Sequence, residues 1–267
     1  MKDSLVTLDQ VYFAYEADKP ILSNVSINIK QGKITAIMGG SGSGKTTVLR
    51  LISGQITADQ GKVTIFNQEI NQLSRRKILN LRQHIGMLFQ FGALFTDMTV
   101  AENVGFPLME NTNLPESLIN KIVAMKLEAV GLTGTQAMST NQLSGGMARR
   151  VALARAVALD PELMLYDEPF TGLDPISLNV TAMLIKKLNG NLGQTAILVS
   201  HDIEATLKIA DYIYFMANGQ IIDHGTPEQV KNTSNPAVRQ FINGDLGTSF
   251  SYKYPSKQSY EYYLGQQ

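Results

Sequence analysis

Apolar residues along this chain fall into short runs separated by polar segments, and two periodicities alternate. Residues 5–8, 11–13 and 25–29 read as short strands divided by polar turns. Ile34-Thr35-Ala36-Ile37-Met38 is a mostly apolar run that ends in a glycine-rich loop, and a helical pattern follows from Thr46 to about Ser53. That succession predicts a buried strand, a loop and a helix. Similar apolar runs occupy 85–89, 163–166, 196–199 and 212–216, with helical patterns between several of them. Strands alternating with helices predict a largely parallel sheet covered on both faces. The middle differs. From about Thr99 to Ala158 no strand pattern stands out, while Ile119, Ile122, Val123, Leu127 and Val130 keep helical spacing and 144–158 reads as a further helix. The pattern predicts a helical block, at roughly 91–158, inserted into an α/β domain.

Composition narrows this picture. At 267 residues the chain holds one large domain or two modest ones. Its 44% hydrophobic residues suffice for a sizeable core. The absence of cysteine removes disulfides, Cys-ligated zinc and thiol chemistry, and fits a reducing compartment. Lys+Arg and Asp+Glu both number 23, so no global basic footprint invites nucleic acid. No apolar run reaches the ~18 residues of a membrane span, and the start Met1-Lys2-Asp3-Ser4-Leu5 does not read as a signal peptide. A globular protein facing the cytosol is the expectation. The segment 235–267 changes character: Phe241, Phe250, Tyr252, Tyr254, Tyr260, Tyr262 and Tyr263 are about a third of all aromatics, without clear periodicity.

Gly39-Gly40-Ser41-Gly42-Ser43-Gly44-Lys45-Thr46 fits G-x-x-x-x-G-K-[ST] between a strand and a helix. Glycines let consecutive backbone N–H groups point into one concavity, and the helix start adds its positive dipole end. Lys45 can neutralise outer phosphates and the Thr46 hydroxyl can ligate Mg²⁺. Alone, this loop leaves kinases, GTPases, recombinases and transport ATPases open. Leu163-Met164-Leu165-Tyr166-Asp167-Glu168 is an apolar strand ending in two acids. Taken by itself it is equally a solvated strand end. Beside a phosphate loop, the first acid suits the Mg²⁺ shell and the second suits activation of a water. Leu143-Ser144-Gly145-Gly146-Met147 precedes a helix, with Ser144 a natural N-cap and two glycines exposing backbone donors. It is either a plain turn or a second anion-binding helix terminus. One nucleotide needs one cradle, so a second suggests a site completed between two subunits.

The phosphate loop, Gln90 after an apolar strand, Leu-Ser-Gly-Gly, Asp-Glu-Pro, Gly-Leu-Asp and Ser-His-Asp occur in that order. The chain thereby resembles the nucleotide-binding subunit of an ABC transporter over about residues 5–230. The resemblance implies a P-loop α/β fold with a RecA-like core, an antiparallel β-subdomain and the helical insert, spanning 1–234. It further implies that two copies pair head to tail around two Mg·ATP. Tyr15 would stack on adenine, although Tyr12 and Phe13 are neighbours of similar type. Gly39, Gly40, Ser41, Gly42, Ser43, Gly44, Lys45, Thr46 and Thr47 would hold the phosphates. Gln90 would contact Mg²⁺ and the attacking water, Asp167 would order Mg²⁺ together with Thr46, Glu168 would be the general base, and His201 would meet the γ-phosphate. Ser144, Gly145 and Gly146 would serve the other copy's ATP, with Asp174 at the dimer contact. His84 and His224 read as structural or surface residues. Met147 stands where the family usually has Gln. The anion-binding atoms come from Ser144 and the glycines, so hydrolysis is expected to survive.

One cassette per chain argues against a two-cassette translation factor, the lack of coiled-coil heptads and zinc cysteines against a chromosome-organising or repair ATPase, and the presence of both Glu168 and His201 against a non-hydrolysing regulator. A single cassette without spans implies a separate permease, whose cytoplasmic helix would meet Phe91, Leu94, Phe95 and Met98; these four are otherwise ordinary core. The text around Gln90, Leu-Ser-Gly-Gly-Met-Ala-Arg-Arg and Asp-Glu-Pro-Phe-Thr-Gly-Leu-Asp-Pro is similar to the ATPase subunits of bacterial Mla-type phospholipid transporters. That likeness implies a peripheral place on the cytoplasmic face of the inner membrane. It also implies a permease, a small STAS-domain subunit and an MCE-domain periplasmic protein as partners. The alternative is an ATPase serving another solute, or a non-transport ABC ATPase. The tyrosine-rich tail, 235–267, resembles the C-terminal extension of the same ATPases, and 250–264 is expected to dock on the other copy rather than on its own domain.

Overall fold

The computed structural model describes residues 4–16 and 18–244. Its frame is a six-stranded sheet in the order β10-β9-β3-β8-β7-β6. The strands are β3 (Ile34–Gly39), β6 (Ile85–Leu88), β7 (Leu163–Asp167), β8 (Thr195–Ser200), β9 (Tyr212–Ala217) and β10 (Gln220–Gly225). All neighbouring pairs are parallel except β9 with β10. The fully buried strands divide their side chains strictly by parity. Ala36, Met38, Met164, Tyr166, Ala196 and Leu198 face one apolar cluster; Ile37, Leu163, Leu165, Ile197 and Val199 face the other. A period of two thus persists in runs that look uniformly apolar, because both faces of a parallel sheet are covered.

A second, antiparallel sheet, ordered β2-β1-β4-β5, is built from β1 (Ser4–Glu16), β2 (Lys19–Lys30), β4 (Gln60–Ile65) and β5 (Gln68–Glu69). Two expected strands, 5–8 and 11–13, are one strand here. Gln10 lies at φ 48° and the pairing with β2 slips between Leu8 and Val11. This bulge breaks the alternation, which is why the pattern reads as two pieces. β4 and β10 had no clear apolar signature, since each carries only a few inward residues.

Between β3 and the far strands lie α1 (Lys45–Ile52) and α2 (Arg75–Arg82). The helical block consists of α3 (Val100–Asn111), α4 (Glu116–Ala129) and α5 (Gly145–Ala156), and no strand occurs among the described residues from 99 to 158. α3 starts where it does because Thr99 and Glu102 form a capping box, with Thr99 N–H donating to Glu102 Oε2 at 2.7 Å. After β7 come α6 (Pro175–Leu192), α7 (Ile203–Ile209), α8 (Pro227–Lys231) and α9 (Pro236–Asn243). The segment expected as an extension therefore opens with α9. This helix buries Val238 and sets Phe241 edge-on to Phe215, centroids 5.6 Å apart. The tail residues 250–264 expected to dock on a second copy lie outside the described residues.

α5 approaches β6 so closely that Gly86 has no room for a methyl group: a Cβ there would sit 2.4 Å from both Ala156 O and Met164 Sδ. Gly86→Ala should lower the unfolding free energy by about 1–3 kcal/mol, as overpacking of a filled core does. Urea titration measures this, and an unchanged midpoint would contradict the packing argument.

Candidate nucleotide site

The strand order brings four loops to one edge. β3, β8, β7 and β6 are parallel, and their registers pair Met38 with Ser200, Asp167 with Val199, and Leu88 with Tyr166. Their carboxyl ends are therefore level, and the residues that follow each strand, Gly40, His201, Glu168 and Gln90, line one cleft of about 870 Å³. Crevices at the carboxyl ends of parallel strands are where open α/β sheets bind ligands.

The loop from Gly39 to Gly44 owes its path to glycine. Gly39 lies at φ 146°, and a Cβ would meet Met216 O at 2.1 Å. Gly44, at φ 99°, is the N-cap of α1, and a Cβ would strike Leu22. Lys45 Nζ donates to Gly39 O and Gly40 O, both at 2.9 Å. Burial pushes the Lys45 ammonium down from its ordinary pKa, while the Glu168 and Asp167 carboxylates push it back up. Ser43 Oγ is buried with no hydrogen-bond partner among the described residues, and its loop carries amides at a helix N-terminus. An unpaired buried hydroxyl in such a cradle fits the oxygens of a polyphosphate.

Thr46 Oγ1 donates to Asp167 Oδ1 at 3.2 Å. Burial raises the Asp167 pKa, the Thr46 hydroxyl lowers it, and the neighbouring Glu168 raises it again. Asp167 is thus a buried carboxylate whose charge is under-compensated, as suits a cation ligand. One hydroxyl and one carboxylate beside a phosphate cradle is the oxygen donor set that Mg²⁺ takes, with phosphates and water completing its shell. No cluster of three or more His, Asp or Glu suited to a metal exists among the described residues.

Glu168 stands one residue past β7 at φ 49°, an uncommon conformation for a non-glycine. Its amide donates to Val199 O at 2.9 Å. Its Oε2 lies 2.7 Å from His201 Nδ1, 3.4 Å from His201 N and 3.5 Å from Thr171 Oγ1. An ionised carboxylate only accepts, so in this pairing Nδ1 carries the histidine proton. Tyr15 also reaches the cleft: it is 54% exposed, packs edge-on to Phe13 at 4.8 Å, and accepts a hydrogen bond from Arg50 at 3.0 Å. Phe13 is core, and Tyr12 is exposed but does not line the cleft.

Gly40 to Thr47, Gln90, Glu168 and His201 are thus brought together with Tyr15, and Asp167 joins them through Thr46. Ser144, Gly145, Gly146 and Asp174 do not line the cleft. Ser144 caps α5 by accepting from Met147 N at 3.3 Å, and Asp174 caps α6 by accepting from Ile176 N and Ser177 N at 3.0 Å. A Cβ on Gly146 would meet Ser177 Oγ at 2.8 Å, so the signature glycines and Asp174 share one surface patch through Ser177. Ser144, Gly145 and Asp174 are exposed there. Sequence reasoning missed Arg50, and it missed Gln240, Phe241 and Gly244, which line the cleft from the α9 end. The signal for α9 was present in Asn235-Pro236, an N-cap followed by proline at the first helical position.

A P-loop between β3 and α1, an acid pair at the end of β7 and a histidine after β8 define an ATP-binding cassette. Residues 22–171 match the family model described as ABC transporter, and the chain belongs to that ATPase family. It is 50% identical over 257 residues to the intermembrane phospholipid transport system ATP-binding protein MlaF of Haemophilus influenzae, covering 96% of this chain and 97% of that one. To the MlaF of Escherichia coli K12 it is 47% identical over 253 residues, covering 95% and 94%. Among solved structures, the dimeric post-hydrolysis state of the ATP-binding cassette MJ0796 bound to ADP and Pi superposes with TM-score 0.76. That pair is 32% identical, over 83% of this chain and 98% of the other.

Proposed function

We propose that this ATPase is the energy-supplying subunit of a phospholipid transporter linking the bacterial inner and outer membranes. The observation that carries the lipid reading is the near-full-length similarity to two MlaF proteins. The site supports hydrolysis. Lys45, the loop amides and Ser43 would hold the phosphates, and Tyr15 would carry the adenine. Thr46 and Asp167, with Gln90, would hold Mg²⁺, which when bound neutralises charge on the transferred phosphoryl group. Glu168, a carboxylate at the cleft mouth beside His201, would take the proton of the attacking water. His201 would face the γ-phosphate, and Gln90 would orient the water. Phosphoryl transfer leaves the protein little covalent work, so positioning and charge account for most of the rate.

The surface patch of Ser144, Gly145, Gly146 and Asp174 would complete the ATP site of a second copy, giving two Mg·ATP per pair. That reading draws support from the described dimer of MJ0796. Among the described residues no helix is long and apolar enough to cross a membrane, so transport calls for a separate permease. Its contact surface would be the groove of about 450 Å³ between Met87, Phe89, Phe95, Phe106 and Arg155, flanked by Phe91 at 85% exposure. An apolar patch of this kind marks a protein contact. A small STAS-domain subunit and an MCE-domain protein facing the periplasm complete the assembly, with this chain on the cytoplasmic face of the inner membrane.

Affinity purification of the tagged full chain from detergent-solubilised membranes tests the reading. Permease, STAS and MCE proteins should co-purify in fixed ratio. Recovery of a periplasmic solute-binding protein in their place would refute the lipid assignment.

A further inference from the structure

α5 carries two successive arginines with different duties. The Arg150 guanidinium stays within the helical block, donating to Gly146 O, Val130 O and Gly131 O. Arg149 turns the other way. It is buried, it donates to Phe89 O at 3.0 Å and to Gln90 O, and its other arm donates to Thr171 O at 3.0 Å. Thr171 is in turn bound to Glu168, through its amide to Glu168 O at 3.3 Å and its hydroxyl to Oε2 at 3.5 Å. One turn and a half further along α5, Arg155 donates to Gly92 O at 2.6 Å. The stretch around Gln90 is therefore gripped from α5 on both sides.

A buried cation is costly unless compensated, and no carboxylate pairs with Arg149 among the described residues. Burial lowers its pKa for that reason. Among the described residues, three backbone carbonyls alone hold it. Two of them belong to the segment bearing Gln90, and the third to the turn after Glu168. The helix that supplies this charge begins at Ser144, Gly145 and Gly146, the patch offered to a second copy.

We propose that Arg149 is a positioning residue that ties the signature helix to both Gln90 and Glu168, so that engagement of a second copy at the start of α5 sets the spacing of the hydrolytic groups. The inference rests on the ATPase reading given above. The planar fork serves the Gln90 segment with one arm and Thr171 O with the other; the ammonium of a lysine gathers its donors on one atom and cannot span both segments. Arg149→Lys in the full chain should therefore lower kcat about 10- to 100-fold, with KM for ATP moving less than about threefold, as for loss of orientation rather than binding. Without nucleotide, amide exchange at 89–92 and 169–172 should accelerate at least about tenfold, while β3 stays protected. Arg150→Lys, which serves only carbonyls of the helical block, should leave kcat within about threefold and exchange at 89–92 unchanged. Equal losses in both variants, or a raised KM at constant kcat, would overturn the proposal. So would unchanged exchange at 89–92. Glu168→Gln separates the two readings. If it abolishes turnover and Arg149→Lys does not, only the positioning role falls; if neither lowers turnover, the hydrolytic assignment falls.

Discussion

Glu168→Gln should cut steady-state ATP hydrolysis by about 10²–10⁴-fold, the usual contribution of a positioned general base, while ATP binding persists. The substitution keeps the shape of the side chain, and its amide oxygen can still accept from His201 N and Thr171 Oγ1, which now meet Glu168 Oε2 at 3.4 and 3.5 Å. What disappears is the negative charge and with it the ability to take a proton from water. The 2.7 Å contact to His201 Nδ1 should survive as a neutral hydrogen bond, so the cleft walls stay in place. The groups proposed to bind and the group proposed to hydrolyse lie apart: the glycine-rich loop follows β3, and Glu168 follows β7. Pairs of chains closed on ATP should accumulate, visible by size-exclusion chromatography with Mg·ATP. Turnover within about threefold of the native chain would assign the base elsewhere, given the size of the effect expected for a true base.

Such separation of duties is what made part of the site legible before any fold was known. Gly39 to Thr46 works as one contiguous turn. The positive φ values, and the 2.1 Å at which a Cβ on Gly39 would meet Met216 O, demand glycine at fixed spacing, so the physics is written locally. The acid pair and His201 were legible for a similar reason, each following an apolar strand whose end falls at the sheet edge. Parallel register then aligned those ends, which no single segment encodes. Arg149 was not legible. It lies in a run of two arginines, and only the three-dimensional path sends one to the block and the other to Gln90 and Thr171. Gln240 and Phe241 were missed for a related reason: the aromatic count of the tail drew attention, while the Asn-Pro cap that starts a packed helix did not. The slip at Gln10 shows the opposite failure, where a single bulged residue divided one strand in two.

Lys45→Met should reduce ATP affinity roughly 10²–10³-fold. One or two charge-assisted hydrogen bonds, at about 1.5–3 kcal/mol each, are lost together with the only cation in the phosphate loop, and about 1.4 kcal/mol is a factor of ten. The folded chain without nucleotide should respond very differently. Lys45 is buried with its pKa lowered by desolvation first, against the opposing pull of Glu168 and Asp167. Removing the charge relieves that cost. Against this, Gly39 O and Gly40 O lose their 2.9 Å donor, and Gly40 is open enough for water to replace it. The two effects oppose, and urea unfolding should shift by no more than about 1 kcal/mol, of the order of one exchanged hydrogen bond. The pH dependence has a definite sign. A lysine whose folded pKa lies below its unfolded value destabilises the fold at every pH below the folded value. That cost fades as pH rises toward the unfolded value, where both states are neutral. Native stability should therefore gain on Lys45→Met between neutral and alkaline pH. Mg·ATP should raise the melting temperature of the native chain and leave that of the variant unmoved. A variant that unfolds several kcal/mol more easily without nucleotide would mean that Lys45 holds the loop together rather than waiting for phosphate.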